Sequence, residues 1–453
     1  MLIAILIGYQ IVLVGIGLWA RNRSASHDDF LIGGRRMGAL VASLSYAAGA
    51  SSAWSILGVT GIAYTQGISA VWLLPGTITG HIVAWFFIAP RLRRLAAERQ
   101  YVTLTDFLVD GLEARERRAA IVVSSAAILF CFSFYVAAQF QGAGTTLAAS
   151  FDISATAAIV IGAAIILVYT CLGGFWAVSI TDSLQAVVMF VAALVLPTAV
   201  LVELGGFAPI FAALEPEHVS PTGANAGWLA AGFLLGMVSI GFGPLGQPHM
   251  LNRMMALADE GALSRARVIG LAWFVVVLGG MFFAGLAGLA LLDQVPEPES
   301  LLFQLSEALL PAVVGALLTV AVLSAVMSTA DSQLLVAAGV ASHDLARTDG
   351  RANSRIYVVL VGIVAVLLAL FLPETIFARV LFAWNALGAT FGPLVMRRLL
   401  GRPINPTMAP VAMAAGFALT VLFYSLPDTP GDVAERALPF VVGWLILMLP
   451  KRG

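Results

Sequence analysis

Apolar runs long enough to cross a bilayer recur along almost the whole chain, and they limit its fold more than any other feature. About thirteen can be counted, at 2–20, 40–65, 70–90, 119–149, 154–172, 178–203, 228–247, 268–292, 311–340, 356–372, 376–396, 407–425 and 437–450. A hydrocarbon core of about 30 Å needs roughly 20 helical residues. The runs are continuous rather than alternating, which excludes a β-barrel. Only 11% of the 453 residues are charged and 60% are hydrophobic, against about 25% charged in soluble domains. The fold class is an all-α polytopic membrane protein of one transmembrane domain, with no soluble domain. The lipid bilayer is its expected environment. The net charge of −1 is silent on nucleic acid, and neither nucleic acid nor an obligate protein partner is expected.

The placement of charge sets the orientation. All 24 Lys and Arg except Arg379 and Arg436 fall in the linkers after the first, third, seventh, ninth and eleventh segments or in the tail. Arg23, Arg91, Arg253, Arg347 and Arg398 are among them, and the tail holds Lys451 and Arg452. The opposite loops, 203–226 and 293–310, carry acids and no Lys or Arg. The positive-inside rule then puts the N-terminus outside and the C-terminus in the cytoplasm, in a multi-pass protein of the cell membrane with an odd number of spans. Leu2–Trp19 has no basic n-region or small-residue cleavage site and reads as a retained helix. Cys131 and Cys171 sit in apolar runs and read as small buried residues rather than a disulfide. The linker 91–118 has room for a short amphipathic helix capped at Thr105-Asp106-Phe107, although a plain loop fits equally.

Two segments carry helix breakers in their middles. The second reads Ser45-Tyr46-Ala47-Ala48-Gly49-Ala50-Ser51-Ser52-Ala53-Trp54, and the seventh Gly241-Phe242-Gly243-Pro244-Leu245-Gly246-Gln247-Pro248. Gly and Pro within a span free backbone groups that hydrocarbon cannot satisfy, so such breaks survive where they line a cavity. The two lie five spans apart and run in opposite directions. Paired interruptions of this kind point to an inverted-repeat transporter, with halves at about 40–203 and 228–396. Segments 2–20, 407–425 and 437–450 are then peripheral.

The ninth segment contains Ala325-Val326-Met327-Ser328-Thr329-Ala330-Asp331-Ser332-Gln333. Ala325, Ser328, Thr329 and Ser332 share one helical face. Hydroxyl and carbonyl oxygens suit a small hard cation such as Na⁺. The same hydroxyls also suit back-bonding within the helix or helix–helix adhesion. Asp182 opens the sixth segment, as an N-cap facing water or as a waypoint for a cation. Tyr135, Gln139 and Gln141 lie in the fourth segment, and Tyr135 reads as packing with one hydrogen bond. His81 reads as a satisfied packing histidine, and His249 as a loop residue or a ligand. No metal-enzyme spacing, phosphate loop or Ser/His/Asp grouping is present in the sequence, so the chain is not read as an enzyme.

Four stretches in this order resemble the sodium:solute symporter family, and within it the sodium/proline symporter branch. They are Gly33-Gly34-Arg35 leading into the broken second segment; Gly173 through Gln185 with Asp182; Gly246-Gln247-Pro248-His249 with Arg253-Met254-Met255-Ala256; and Ser324 through Val336. The resemblance implies the five-plus-five inverted repeat of the leucine-transporter type, with extra N- and C-terminal helices. It implies Na⁺ held by the carbonyls of Ala48, Ser51 and Ala325 and the hydroxyls of Ser328 and Thr329. It further implies a second Na⁺ or an ion route at Asp182, Asp331 and Ser332. For solute it points to Ser52, Tyr135, Ile240, Pro244, Gln247 and Pro248. The chain departs from the proline branch where Ala50 replaces an aspartate and where Ile240 and Pro244 replace an aromatic pair. Proline, another small amino acid and a small carboxylate all remain open as the solute.

The expected function is Na⁺-coupled import of such a solute by alternating access. A proton-coupled carrier of the same fold and a transporter-like sensor are the alternatives.

Overall fold

The computed structural model describes residues 2–21, 31–151, 153–172, 174–292, 294–346, 351–372 and 375–450. Arg23, Gly173, Arg347, Lys451 and Arg452 lie outside the described residues. The described chain is helical, without a β-strand, and a helix lies across each apolar segment read from the sequence. Among the described residues, eight helices are long and apolar enough to cross a membrane: Leu2–Ala20, Trp54–Arg99, Ala114–Ser150, Phe175–Leu204, Trp228–Leu245, Glu260–Leu291, Ala312–Leu345 and Ser354–Phe371. Ala39–Ala50, Ala155–Val168 and Met408–Tyr424 are apolar but shorter.

Burial ranks these helices. In Ala312–Leu345, 72% of the most apolar window is inside the protein, against 11% in Leu2–Ala20. The first is the centre of the bundle and the second its rim, where Ile3, Ile7 and Ile11 face outward. Without a hydrophobic drive between helices in lipid, close approach depends on small residues. A Cβ on Gly80 would run into the backbone carbonyl of Gly241, so the Leu73–Val83 helix and the 240–245 stretch touch main chain to main chain.

Both predicted breaks are present. The Ala39–Ala50 helix stops at Ser51, whose φ of −105° and ψ of 87° leave the helical region, and helix resumes by Trp54. The seventh segment tightens to a 3-10 turn at Ile240–Leu245 and restarts as Pro248–Met255. The arginine-bearing ends of the two broken segments are tied by a backbone bridge: Met37 N–H donates to the Ala256 carbonyl (3.0 Å), and Ala258 N–H to the Met37 carbonyl (3.0 Å).

Several expectations change. Asp182 is not an N-cap: the helix begins at Phe175, and Asp182 lies within it, fully buried. The short helix in the 91–118 linker exists, Leu104–Val109, but its cap is Thr103, paired with Asp106 in a capping box. Burial works to raise the Asp106 carboxyl; its bonds from His343 and the Val102 and Thr103 N–H groups outweigh this and hold it low. Arg253 is not a solvated linker charge but a buried one, 1% exposed. The two arginines outside the charge pattern, Arg379 and Arg436, are also buried. Arg379 donates to the Gln141 side-chain oxygen (2.9 Å) and Arg436 to Asp432 (2.6 Å). Cys131 and Cys171 are both free thiols, Cys131 buried as expected and Cys171 only half-buried.

Candidate sodium and solute site

The break at Ser51 and the face of the Ala312–Gly339 helix meet at one point. The Ser328 hydroxyl lies 3.1 Å from the Ala48 carbonyl and 3.2 Å from that of Ala325. The Thr329 hydroxyl lies 3.4 Å from the Ala48 carbonyl and 3.3 Å from that of Gly49. Four of the five residues expected around Na⁺ are thereby brought together across about 280 residues of chain. Ser51 is adjacent: its N–H returns to the Ala47 and Ala48 carbonyls, and its hydroxyl is buried without a partner. The cluster is all oxygen, uncharged and sealed from solvent, the donor chemistry that suits Na⁺ as a transported ion. The helix break makes it possible, because carbonyls of the last turn before Ser51 are no longer all committed to the helix ladder.

One helical turn along the same face lies a charged cluster. Asp182 accepts from Arg253 (2.9 Å) and from the Ser45 hydroxyl (2.7 Å). The Arg253 Nε donates to the same Ser45 oxygen (2.7 Å), and its Nη2 to Ser332 (2.5 Å). Ser332 in turn lies 3.3 Å from Asp331. Asp182 Oδ1 and Asp331 Oδ2 have no hydrogen-bond partner among the described residues although both residues are buried. The expected ion-route residues therefore come together, with a guanidinium among them that sequence reasoning did not place there.

Of the residues expected to meet solute, Tyr135 donates to the Ser52 hydroxyl (3.4 Å), and Ser52 also accepts from Trp54 N–H (3.2 Å). Ile240 and Gln247 gather on a residue that sequence reasoning missed, Trp384. Its indole N–H donates to the Ile240 carbonyl (2.9 Å), and Gln247 donates to its carbonyl (3.1 Å). Trp384 stacks on Trp54 (centroids 6.5 Å apart), which stacks on Phe377 (6.2 Å). This stack joins the Ser52–Tyr135 group to the Ile240–Gln247 group. Pro244 is buried in its tight turn, while Pro248, next to Gln247, lines a crevice with Arg253 and Ser332. Gln139 was also missed as a site residue: its side-chain oxygen accepts from Ala53 N–H (3.0 Å), pinning the break. His81 is the satisfied packing residue expected, bonded to Tyr46 (2.9 Å) and stacked on Phe274. His249 is buried and bonds the Gly49 carbonyl (3.1 Å).

The profile of the sodium:solute symporter family matches residues 30–416. The chain belongs to this family. Among curated relatives it is 29% identical to the osmoregulated proline transporter OpuE of Bacillus subtilis, over 98% of this chain and 94% of that one. It is 32% identical to sodium/proline symporter 2 of Staphylococcus saprophyticus, over 92% and 84%. Among solved structures it superposes on a Na⁺-coupled sialic acid symporter in its substrate-bound outward-open state, with a TM-score of 0.83 at 16% identity, covering 98% of this chain and 96% of that one. A nucleobase-cation-symport-1 family transporter gives 0.60 at 14% identity, covering 94% and 93%. These likenesses establish the leucine-transporter-type inverted repeat. The family and its neighbours are transporters, and this symporter is a membrane-embedded, Na⁺-coupled importer of a solute rather than an enzyme.

The symporter is asymmetric about its site. On the acid-bearing face a hollow of about 710 Å³ is lined by Gly61, Gln66, Gln141, Glu299 and Phe377. On the arginine-bearing face the crevice beside Arg253 and Ser332 holds about 20 Å³. Phe377 lines the larger hollow and stacks on Trp54, whose N–H donates to the Ser52 hydroxyl, so the hollow connects through this stack to the Ser52 group.

Proposed function

We propose that this symporter binds Na⁺ through the carbonyls of Ala48, Ser51 and Ala325 and the hydroxyls of Ser328 and Thr329. Ser52, Tyr135, Ile240, Pro244, Gln247 and Pro248 then surround a small amino acid, with proline the leading candidate, or a small carboxylate. The observation that carries this is the reach of Ser328 and Thr329 to the Ala48 and Gly49 carbonyls. The proline transporters among the relatives support the solute class, and the replacements at Ala50, Ile240 and Pro244 keep other small solutes in the panel.

The mechanism is linkage. Na⁺ takes the place of the hydroxyl–carbonyl bonds and clamps the broken segment to the Ala312–Gly339 helix. The solute contacts Ser52 on the far side of the same break. Each ligand then raises the other's affinity, by about 1–3 kcal/mol in typical couplings. The membrane potential adds about 2.3 kcal/mol per charge per 100 mV. Alternating access is the rocking of one bundle against the other around this point. Asp182, Asp331 and Ser332 form the ion's route onward or a second Na⁺ site, with two carboxyl groups set against the one guanidinium of Arg253.

In this reading the repeats are about 40–203 and 228–396. About thirteen spans cross the cell membrane, and the arginine-bearing face is cytoplasmic, so the N-terminus is outside. Uptake of labelled amino acids and monocarboxylates into proteoliposomes, with and without a Na⁺ gradient, tests the proposal. Uptake of every accepted solute that ignores Na⁺ but follows a pH gradient would overturn it.

A further inference from the structure

The Leu2–Arg21 helix lies outside the residues matched by the family profile. It is the most lipid-exposed of the long helices, yet two neighbouring polar side chains turn inward from it. The Tyr9 phenol lies 2.5 Å from the Ser324 hydroxyl. Gln10 donates to the Met327 sulfur (3.3 Å). The direction of the first bond follows from proton counting. Ser324 gives its only hydroxyl hydrogen to the Val320 carbonyl (2.7 Å). Its oxygen can then only accept, so Tyr9 donates.

Ser324 and Met327 bracket Ala325, whose carbonyl belongs to the oxygen cluster. Ser324 also precedes Ser328 by four residues, on nearly the same helical face. The Ala312–Gly339 helix is thus attached twice at one height. Ser328 and Thr329 hold it to the broken segment, and Tyr9 holds it to the rim helix. The first attachment is spent when Na⁺ binds, because both hydroxyls must turn their lone pairs to the ion. The second uses neither Ser328 nor Thr329.

We propose that Tyr9 is a positioning residue for sodium: through Ser324 it fixes the height of the Ala325–Thr329 turn, so the oxygen cluster is assembled before the ion arrives. The inference rests on the assignment of Na⁺ to that cluster. A neutral buried hydrogen bond of this type sets an effect of about fivefold.

The test is Na⁺-dependent uptake in proteoliposomes by Y9F, S324A and the double variant, using a solute that the wild type accumulates, with T329A alongside. Y9F is expected to raise the half-saturating Na⁺ concentration about fivefold, leaving the maximal rate and the solute KM at saturating Na⁺ unchanged. S324A is expected to do the same, and the pair together no more than either alone, since both remove one contact. Where a variant transports too slowly, the Na⁺ midpoint for protection against thermal unfolding in detergent gives the same comparison. A shift in T329A with none in Y9F would overturn the role of Tyr9 and leave the ion site standing. No shift in either would overturn both. A loss of rate or yield in Y9F at unchanged Na⁺ midpoint, or additive effects of Y9F and S324A, would reduce Tyr9 to ordinary packing.

Discussion

The Arg253 guanidinium donates to the Asp182 carboxylate at 2.9 Å, with the two side chains 1% and 0% exposed. The pair joins the helix that follows the second break to the Phe175–Leu204 helix. Removing one partner of a buried pair strands the other charge, at a cost of about 3–5 kcal/mol. R253M should therefore lower thermal stability in detergent sharply, and R253M/D182L should recover much of the loss. A double variant as unstable as the single one would show that the pair does not act as a unit.

Thr329 offers one oxygen to the cluster at Ala48 and Gly49. T329A should raise the Na⁺ concentration for half-maximal uptake about tenfold or more, the range for a bond to a charged group. The solute KM at saturating Na⁺ should change little. Unaltered Na⁺ dependence in T329A would remove Thr329 from the site.

Glu299 accepts from the N–H groups of Phe377 (3.0 Å) and Ile376 (3.3 Å), tying the segment after Pro298 to the first turn of the Ile376–Leu399 helix. Burial pushes its carboxyl up; the two backbone bonds and Arg379 pull it down, Glu297 adds to the rise, and the net is upward. The folded protein then holds this proton more readily than the unfolded chain, where glutamate titrates at about 4.3. Stability from this group is present below that value and lost as pH rises through the higher folded value. Thermal stability measured across mildly acidic pH should fall less steeply with rising pH in E299Q than in the wild type. Parallel curves would show that Glu299 is not the group responsible.

Gly80 leaves no room for a side chain against Gly241. G80A should force the two helices apart and destabilise the protein by about 1–3 kcal/mol, the usual cost of overpacking. Thermal unfolding in detergent reads this directly, and a neutral G80A would mean the contact can relax freely.

The helical class and both breaks were legible because lipid admits few alternatives: an apolar run must be helix, and Gly and Pro within it must face a cavity. The Ser328–Thr329 face was legible for the same reason, since hydroxyls in a span need partners. Arg253 was not. In sequence it stands among other arginines at the end of a span, and only the fold turns it inward to Asp182. Trp384 was hidden differently, since a tryptophan in an apolar segment looks like packing until its N–H is seen on the Ile240 carbonyl. Asp182 was misplaced because the helix starts at Phe175, about two turns before it, so a residue taken for the end of the span lies within it. The Thr103 cap lay two residues before the expected Thr105.

The hollow lined by Glu299 and Phe377 gives this conformation an approach from the acid-bearing face. A blocker shaped for that hollow, whether a small molecule or an antibody loop, would come from the acid-bearing face and seat against Glu299 and Phe377. Such a blocker would lose its seat once the carrier turned over, so the side on which it works would itself report which way the carrier rests.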